Sequence, residues 1–182
     1  MKKMISMLLA LTLVFGLAAC GGNNAPANDA SAAVKVEGTM EELVNKVMEK
    51  QPVEFMGGLM PVDLTDTSED GLWAIKSFTG LENAEQISDL AVYEPMIGAI
   101  PFSLAMVRTT EGADVAAVAA NMKNNIDQRK WVCVEADTKT AACTEDVAFL
   151  FMVNSDFAEQ VTTESMLEAF KAAVGTEVTV IG

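Results

Sequence analysis

The apolar positions in the second half of the chain predict alternating strands and helices. Residues 97–109 form a long apolar run that is typical of a strand, and residues 114–129 repeat apolar side chains at helical spacing. Further along, strands are predicted at 131–136 and 142–154, a helix at 162–174 that Gly175 ends, and a last strand at 177–181. The predicted order from Ile97 is therefore β-α-β-β-α-β.

This order is that of the split βαβ, or ferredoxin-like, arrangement, with an antiparallel sheet. Right-handed crossovers in that arrangement would put both helices on one face. Both residue parities of 97–109 are apolar, so the sheet must be covered on both faces. We expect helix 40–50 and the segment 68–91 to cover the second face, giving one α+β domain of three layers over residues 37–182.

The first half of the chain is less regular. Thr39 and Glu42 form a capping-box pattern that predicts a helix over residues 40–50. Residues 51–65, with Gly57-Gly58 and two prolines, are predicted to be loop. Short helices are predicted at 68–78, with Leu72, Trp73 and Ile75 inward, and at 83–91, with Ala84, Ile87 and Leu90 on one side.

The N-terminus has the pattern of an export signal. Lys2 and Lys3 precede an apolar run from Met4 to Gly16 that is too short to span a bilayer permanently. The run ends in Leu17-Ala18-Ala19-Cys20-Gly21, which resembles the bacterial lipobox. We expect cleavage after residues 1–19 and lipid on Cys20, which would hold the protein on the outer face of the cell membrane. The alternative is an ordinary secreted protein with a chance cysteine.

Residues 20–36 are predicted to be a flexible tether. The first part of this segment is rich in Gly, Asn, Ala and Pro and could not form a packed core. Loss of residues 1–19 would remove Lys2 and Lys3 and no acid, so the formal charge falls from −14 to −16. Such a domain is repelled by nucleic acid and by anionic lipid headgroups, so neither is an expected partner. Basic partners, peptides and loosely held cations are compatible with this charge.

The absence of histidine restricts the chemistry of the chain. It excludes Ser-His-Asp and Cys-His catalytic arrangements and removes the usual ligand of zinc, copper(II) and haem. The G-x-S-x-G, S-x-x-K and P-loop motifs are also missing. We expect no cofactor, no metal site and no enzymatic activity.

Cys133 and Cys143 flank the turn-like segment 137–140. In a hairpin centred on Thr138 the two cysteines would face each other within disulfide range. An exported protein permits such a bond. The alternatives are two reduced core thiols or, with spacing unlike C-x-x-C, a redox-active pair.

Three further groups of residues have both a chemical and a structural interpretation. Met56 and Met60 could offer thioethers to Cu(I), or be loop and core filler like the other methionines. The acid pairs Asp63/Asp66 and Glu69/Asp70 could do general acid–base work, or simply be solvated. Aromatic side chains could line a groove for peptide or sugar, or be packed in the core; these are Trp73, Tyr93 and Trp131.

Several short motifs resemble those of a lipoprotein family of anaerobic Gram-positive bacteria that is defined by a domain of unknown function. Besides Cys20, they are Phe78-Thr79-Gly80-Leu81, Tyr93-Glu94-Pro95-Met96, Val107-Arg108, Arg129-Lys130-Trp131 and Phe170-Lys171-Ala172-Ala173. The likeness covers most of residues 40–175. It implies an envelope lipoprotein and transfers no site residue.

These observations favour a membrane-anchored binding or assembly module of the cell envelope, whose partner is an envelope protein or a small ligand. Two alternatives belong to other classes. One is a carboxylate-dependent hydrolase of wall sugar or peptide, and the other is a lipoprotein that handles metal ions.

Overall fold

The structure, a computed structural model, describes residues 34–182. The predicted signal peptide, the lipidation of Cys20 and residues 20–33 of the predicted tether lie outside the described residues. The described residues, 34–182, lie in one compact unit. Its packing begins at Val36, which is buried although it was expected to end the tether.

The described chain forms a six-stranded antiparallel sheet with four α-helices, in the spatial order β1-β2-β3-β5-β4-β6. The strands are β1 (Gly57–Met60), β2 (Ile87–Pro95), β3 (Phe102–Thr109), β4 (Thr138–Cys143), β5 (Val147–Val153) and β6 (Thr179–Ile181). The helices are α1 (Met40–Lys50), α2 (Glu69–Thr79), α3 (Val115–Asn125) and α4 (Thr163–Val174), with a short 3₁₀ helix at Ser155–Phe157. The predicted α+β class is confirmed.

The centre of the sheet is the β3/β5 pair, which runs in register from Phe102 opposite Val153 to Arg108 opposite Val147. Every side chain of β5 is buried, because this strand contains no polar residue. On one face Phe149 stacks on Phe170 of α4, with ring centroids 4.5 Å apart. Burial of each such phenylalanine contributes about 1.5–3 kcal/mol.

Two helices cover each face, so the predicted three layers are confirmed. Helices α1 and α4 pack on the face that carries Phe102, Leu104 and Met106. Helices α2 and α3 pack on the face that carries Ala105 and Val107. The predicted distribution of the helices over the two faces is wrong. Helices α3 and α4 lie on opposite faces of the sheet, and so do α1 and α2.

The position of β6 explains this difference. The ferredoxin-like order would place the last strand beside β3, but that edge is taken by β2, and β6 pairs with β4. The crossovers β3-α3-β4 and β5-α4-β6 both move two positions toward the β6 edge of the sheet. The strands of the first crossover, however, run antiparallel to those of the second. Two right-handed crossovers of this kind put their helices on opposite faces. The ferredoxin-like arrangement is therefore not confirmed.

Several local predictions differ from the structure, and β3 begins at Phe102 although its strand was predicted from residue 97. Residues 87–91 of the predicted helix 83–91 belong to β2, because pairing with β3 prevails over a weak helical spacing. The predicted loop 51–65 contains β1, and the predicted strand 131–136 is irregular. The predicted strand 142–154 contains the end of β4, a turn and β5. The turn forms where the Thr144 hydroxyl accepts the N–H groups of Asp146 and Val147.

Helices α1, α2 and α4 have identifiable caps. Thr39 and Glu42 form the full capping box of α1, and Thr162 caps α4. Gly80 and Gly175 end α2 and α4 in the left-handed conformation, with φ of 77° and 65°. A Cβ at Gly80 would lie 2.6 Å from the Ile126 amide nitrogen, whereas a Cβ at Gly175 would meet open space.

Gly80→Ala is therefore expected to destabilise the domain more than Gly175→Ala. The left-handed conformation alone costs an alanine about 1–2 kcal/mol, and the backbone clash at Gly80 adds to it. Urea denaturation should give a loss of about 1 kcal/mol for Gly175→Ala and at least twice that for Gly80→Ala. Equal losses would contradict the close packing of Gly80 on the end of α3.

Candidate functional site

Arg108 and Asp146 hold the N-terminal segment against one end of the sheet. The guanidinium is 2.9 Å from the Asp146 carboxylate and donates to the carbonyl oxygens of Val36 and Gly38, at 2.9 and 2.8 Å. The other Asp146 oxygen accepts the Val36 N–H at 3.0 Å. We call Val36, Gly38, Arg108 and Asp146 the Val36 clamp. It fixes where the chain enters the domain.

A buried lysine, Lys130, holds the irregular segment 126–137 against the other end of the sheet. The Lys130 ammonium forms an ion pair with Glu94 and donates to the Ser103 hydroxyl and the Ser77 carbonyl, both at 3.1 Å. The Lys130 and Glu94 side chains are only 8% and 12% exposed. Burial lowers the pKa of Lys130, and the charge of Glu94 opposes that shift.

Two aromatic rings complete the surroundings of Lys130. Its Nζ lies 4.9 Å from the ring centroid of Phe78 and 5.2 Å from that of Trp131, within the range of cation–π attraction. Residues from three of the short motifs of the sequence thus meet in one cluster. The three N–H groups of the ammonium donate to Glu94, Ser103 and Ser77, so the cluster holds the segment 126–137 in place.

The register shows that the clamp and the Lys130 cluster lie at opposite ends of the sheet. Ser103 is near the start of β3 and Arg108 is near its end. Phe102 and Arg108 are six residues apart, which is about 20 Å along a strand. The ends of the sheet are therefore separated by most of the width of a small domain.

Exposed apolar side chains gather at the Lys130 end. Of the seven large apolar side chains that are exposed among residues 34–182, four lie there: Met56, Met96, Ile97 and Val132, at 75%, 68%, 60% and 99% exposure. The Met96 N–H donates to the Met56 carbonyl at 3.0 Å, which joins the first two. Val132 lies between Lys130 and Glu135, whose carbonyl accepts from Asn154 at the end of β5. We call these four residues the distal surface.

A polar cleft of about 590 Å³ adjoins the Val36 clamp. Lys35, Glu111 and Glu145 lie on its walls with Arg108 and Asp146. Because Arg108 and Asp146 already bind each other and the Val36 segment, the charge that they contribute is largely neutralised. The cleft is therefore part of the structure that holds the Val36 segment.

The acid pairs predicted as candidate catalytic groups lie in exposed loops or at the start of α2. Hydrogen bonds from Thr65 and Ser68 lower the pKa of Asp63 and Asp66, respectively, so both are ionised at neutral pH. A general acid needs the opposite shift. The buried carboxylates Glu94 and Asp146 are each ion-paired, at opposite ends of the sheet.

The methionine and aromatic residues that were predicted as candidate site residues do not lie together either. Met60 packs at the edge of the core while Met56 is exposed. Trp73, predicted to point inward, is 68% exposed, whereas Tyr93 packs on Phe102 and Trp131 lies over Lys130. The three aromatic residues do not form one groove. Within residues 34–182 no cluster of three or more His, Cys, Asp or Glu side chains could hold a metal ion.

The predicted hairpin that would oppose the two cysteines is wrong. The turn lies at residues 144–146, and Cys143 pairs with Ala148. Cys133 is exposed in the segment 126–137, Cys143 is buried, and both are free thiols. Of the alternative of two reduced core thiols, only Cys143 lies in the core, because Cys133 is at the surface.

Comparisons of the chain with protein-family models, with curated proteins and with solved structures gave no match. No helix among residues 34–182 is both long and apolar enough to cross a membrane. The interpretation of the site therefore depends on its own geometry.

Lys130→Met is expected to destabilise the domain by about 3–5 kcal/mol, because it leaves the Glu94 carboxylate buried and unpaired. The double variant Lys130→Met/Glu94→Gln should recover more than half of that loss, since the buried charge is gone. Urea denaturation of the single and double variants measures both values. A double variant as unstable as the single one would show that the hydrogen bonds of the ammonium to Ser77 and Ser103, and not charge pairing with Glu94, are the main contribution.

Cys133 is expected to react with a maleimide at pH 7 at least about tenfold faster than Cys143. Burial both shields the Cys143 thiol and raises its pKa, which reduces the reactive thiolate. Peptide mass mapping after timed labelling distinguishes the sites, and the two rates should converge in urea. Failure of both thiols to react until a reductant is added would contradict the free-thiol structure.

Proposed function

We propose that this protein is a lipid-anchored binding module of the cell envelope, held at the Val36 end and presenting the distal surface to a partner protein. The observation that supports the proposal is the position of the exposed apolar side chains. Four of the seven, the residues of the distal surface, lie at the end of the sheet farthest from the point where the chain enters the domain.

Exposed apolar side chains that gather on one part of a soluble domain commonly mark a site of protein interaction. Scattered residues would need no such explanation. At the distal surface, Met56 and Met96 are joined by a backbone hydrogen bond, and Lys130 holds the segment that carries Val132. The surface is thus attached to a rigid scaffold, which lowers the entropic cost of binding.

Charge favours a protein partner over lipid. The mature chain would carry a formal charge of −16, so approach to anionic headgroups is unfavourable. Lipid on Cys20 would attach the chain to the membrane without requiring the domain itself to touch it. A module anchored through its N-terminal side would leave the distal surface available to other envelope proteins.

Cross-linking in cells tests the proposal. A photoreactive amino acid at Ile97 is expected to capture one dominant envelope protein, whereas the same group at Glu111, exposed beyond β3 at the clamp end, should capture only abundant neighbours. A Cys20→Ala variant should leave the membrane fraction and lose the Ile97 product. The same set of products from Ile97 and Glu111 would refute a specific distal partner.

A further inference from the structure

We infer that the outer edge of β1 binds an extended, basic polypeptide segment by adding it to the sheet as a further strand. This inference rests on the proposed function, because it describes how the partner would be recognised. It concerns an edge of the sheet that adjoins the distal surface and that no other described element covers.

The register shows which backbone groups of β1 point outward. The Met96 N–H donates to the Met56 carbonyl at 3.0 Å, and residues 56 and 96 continue the pairing of Gly57 with Pro95. Hydrogen-bonded and non-hydrogen-bonded pairs alternate in an antiparallel ladder. Gly57 and Leu59 are therefore in non-hydrogen-bonded pairs, and their N–H and C=O groups face away from β2.

These outward groups have no partner in the described part of the chain. Strand β1 is outermost and neighbours only β2, and no hydrogen bond from residues 34–182 reaches the outward groups of Gly57 or Leu59. Two donors and two acceptors are thus presented in the spacing of a strand. An extended peptide can satisfy all four groups at once.

The two edges of the sheet differ in their protection. At β6, the Lys123 ammonium of α3 donates to the Ile181 carbonyl at 2.7 Å, so a helix side chain already occupies one acceptor of that strand. Strand β1 carries no charged residue. A Cβ at Gly57 would lie 2.6 Å from the Tyr93 ring, so packing requires that glycine. Gly58 has no such constraint, since its nearest neighbour would be the Met96 methyl at 3.8 Å.

The charge beside β1 defines the chemistry of the segment. Residues 51–71 contain no lysine or arginine and five exposed acids: Glu54, Asp63, Asp66, Glu69 and Asp70. Acids at both ends of a short strand attract a basic segment and oppose pairing with β1 of a second copy. Because β1 begins beside Met56 and Met96, apolar residues at one end of the bound segment would continue onto the distal surface.

A direct binding experiment uses the full-length chain in neutral detergent micelles and three labelled hexapeptides. One alternates lysine and valine, one alternates glutamate and valine, and one alternates lysine and proline. Fluorescence anisotropy should show that the lysine–valine peptide binds at least tenfold more tightly than either other peptide. Hydrogen–deuterium exchange should then show two further protected amides in the fragment that contains β1.

Variants at Leu59 separate strand addition from mere charge attraction. Leu59→Pro removes one outward N–H and no β1–β2 hydrogen bond, while Leu59→Ala loses the same side chain and keeps the N–H. Leu59→Pro should bind the lysine–valine peptide at least fivefold more weakly than Leu59→Ala. Equal affinities, or equal binding of the lysine–proline peptide, would overturn the inference.

A second pair of variants avoids any loss of packing at Leu59. Gly58→Lys places a positive charge beside the edge and should weaken binding, while Gly58→Glu at the same position should not. The same affinity for both would contradict a basic occupant. Protection of β1 that depends on protein concentration, without peptide, would assign the edge to a second copy and also overturn the inference.

The results separate this inference from the proposed function. Capture of a partner at Ile97 together with no peptide binding would leave the distal surface as the binding site and reject strand addition. Peptide binding at β1 together with no specific product at Ile97 would support the edge site and reject the distal partner.

Discussion

Burial of β5 on both faces is the constraint on which this architecture depends. Seven consecutive apolar side chains, from Val147 to Val153, cannot leave either face of the sheet open to water. Four helices meet that requirement, two on each face. Both faces of the sheet are consequently covered, and only its ends and edges lack a helical layer.

The two ends are defined by buried or half-buried ion pairs. Arg108 with Asp146 and Lys130 with Glu94 each attach an irregular segment to the end of a strand. Such pairs contribute little net stability after desolvation, but they penalise alternative arrangements that would leave one charge unpaired. Their effect here is positional. They separate the entry of the chain from the distal surface by about the length of β3.

The edges differ because strand length and charge differ. The β6 edge is three residues long and engages a lysine, while the β1 edge presents bare backbone between exposed acids. An acidic domain is protected from association with its own copies by repulsion, and that protection does not apply to a basic chain. Under the proposed function, the negative charge would therefore also select among the partners of the open edge and the distal surface.

The sequence by itself determined the capped helices α1, α2 and α4, the α+β class and the need to cover both faces of the sheet. Those features depend on local signals, such as Thr39 with Glu42, or on residue parity within one strand. The sequence pattern missed β1, read β2 as a helix and placed the hairpin of Cys143 at the wrong turn.

Tertiary structure alone decided strand order, the faces taken by α3 and α4, and the meeting of Lys130 with Glu94. Those two residues are 36 positions apart, and neither has a local signal that names the other. A lysine beside a tryptophan and a glutamate in a strand are each ordinary surface patterns. Apolar periodicity records which side of an element is buried, but β-pairing joins distant segments, and their partners are fixed only when the whole sheet is packed.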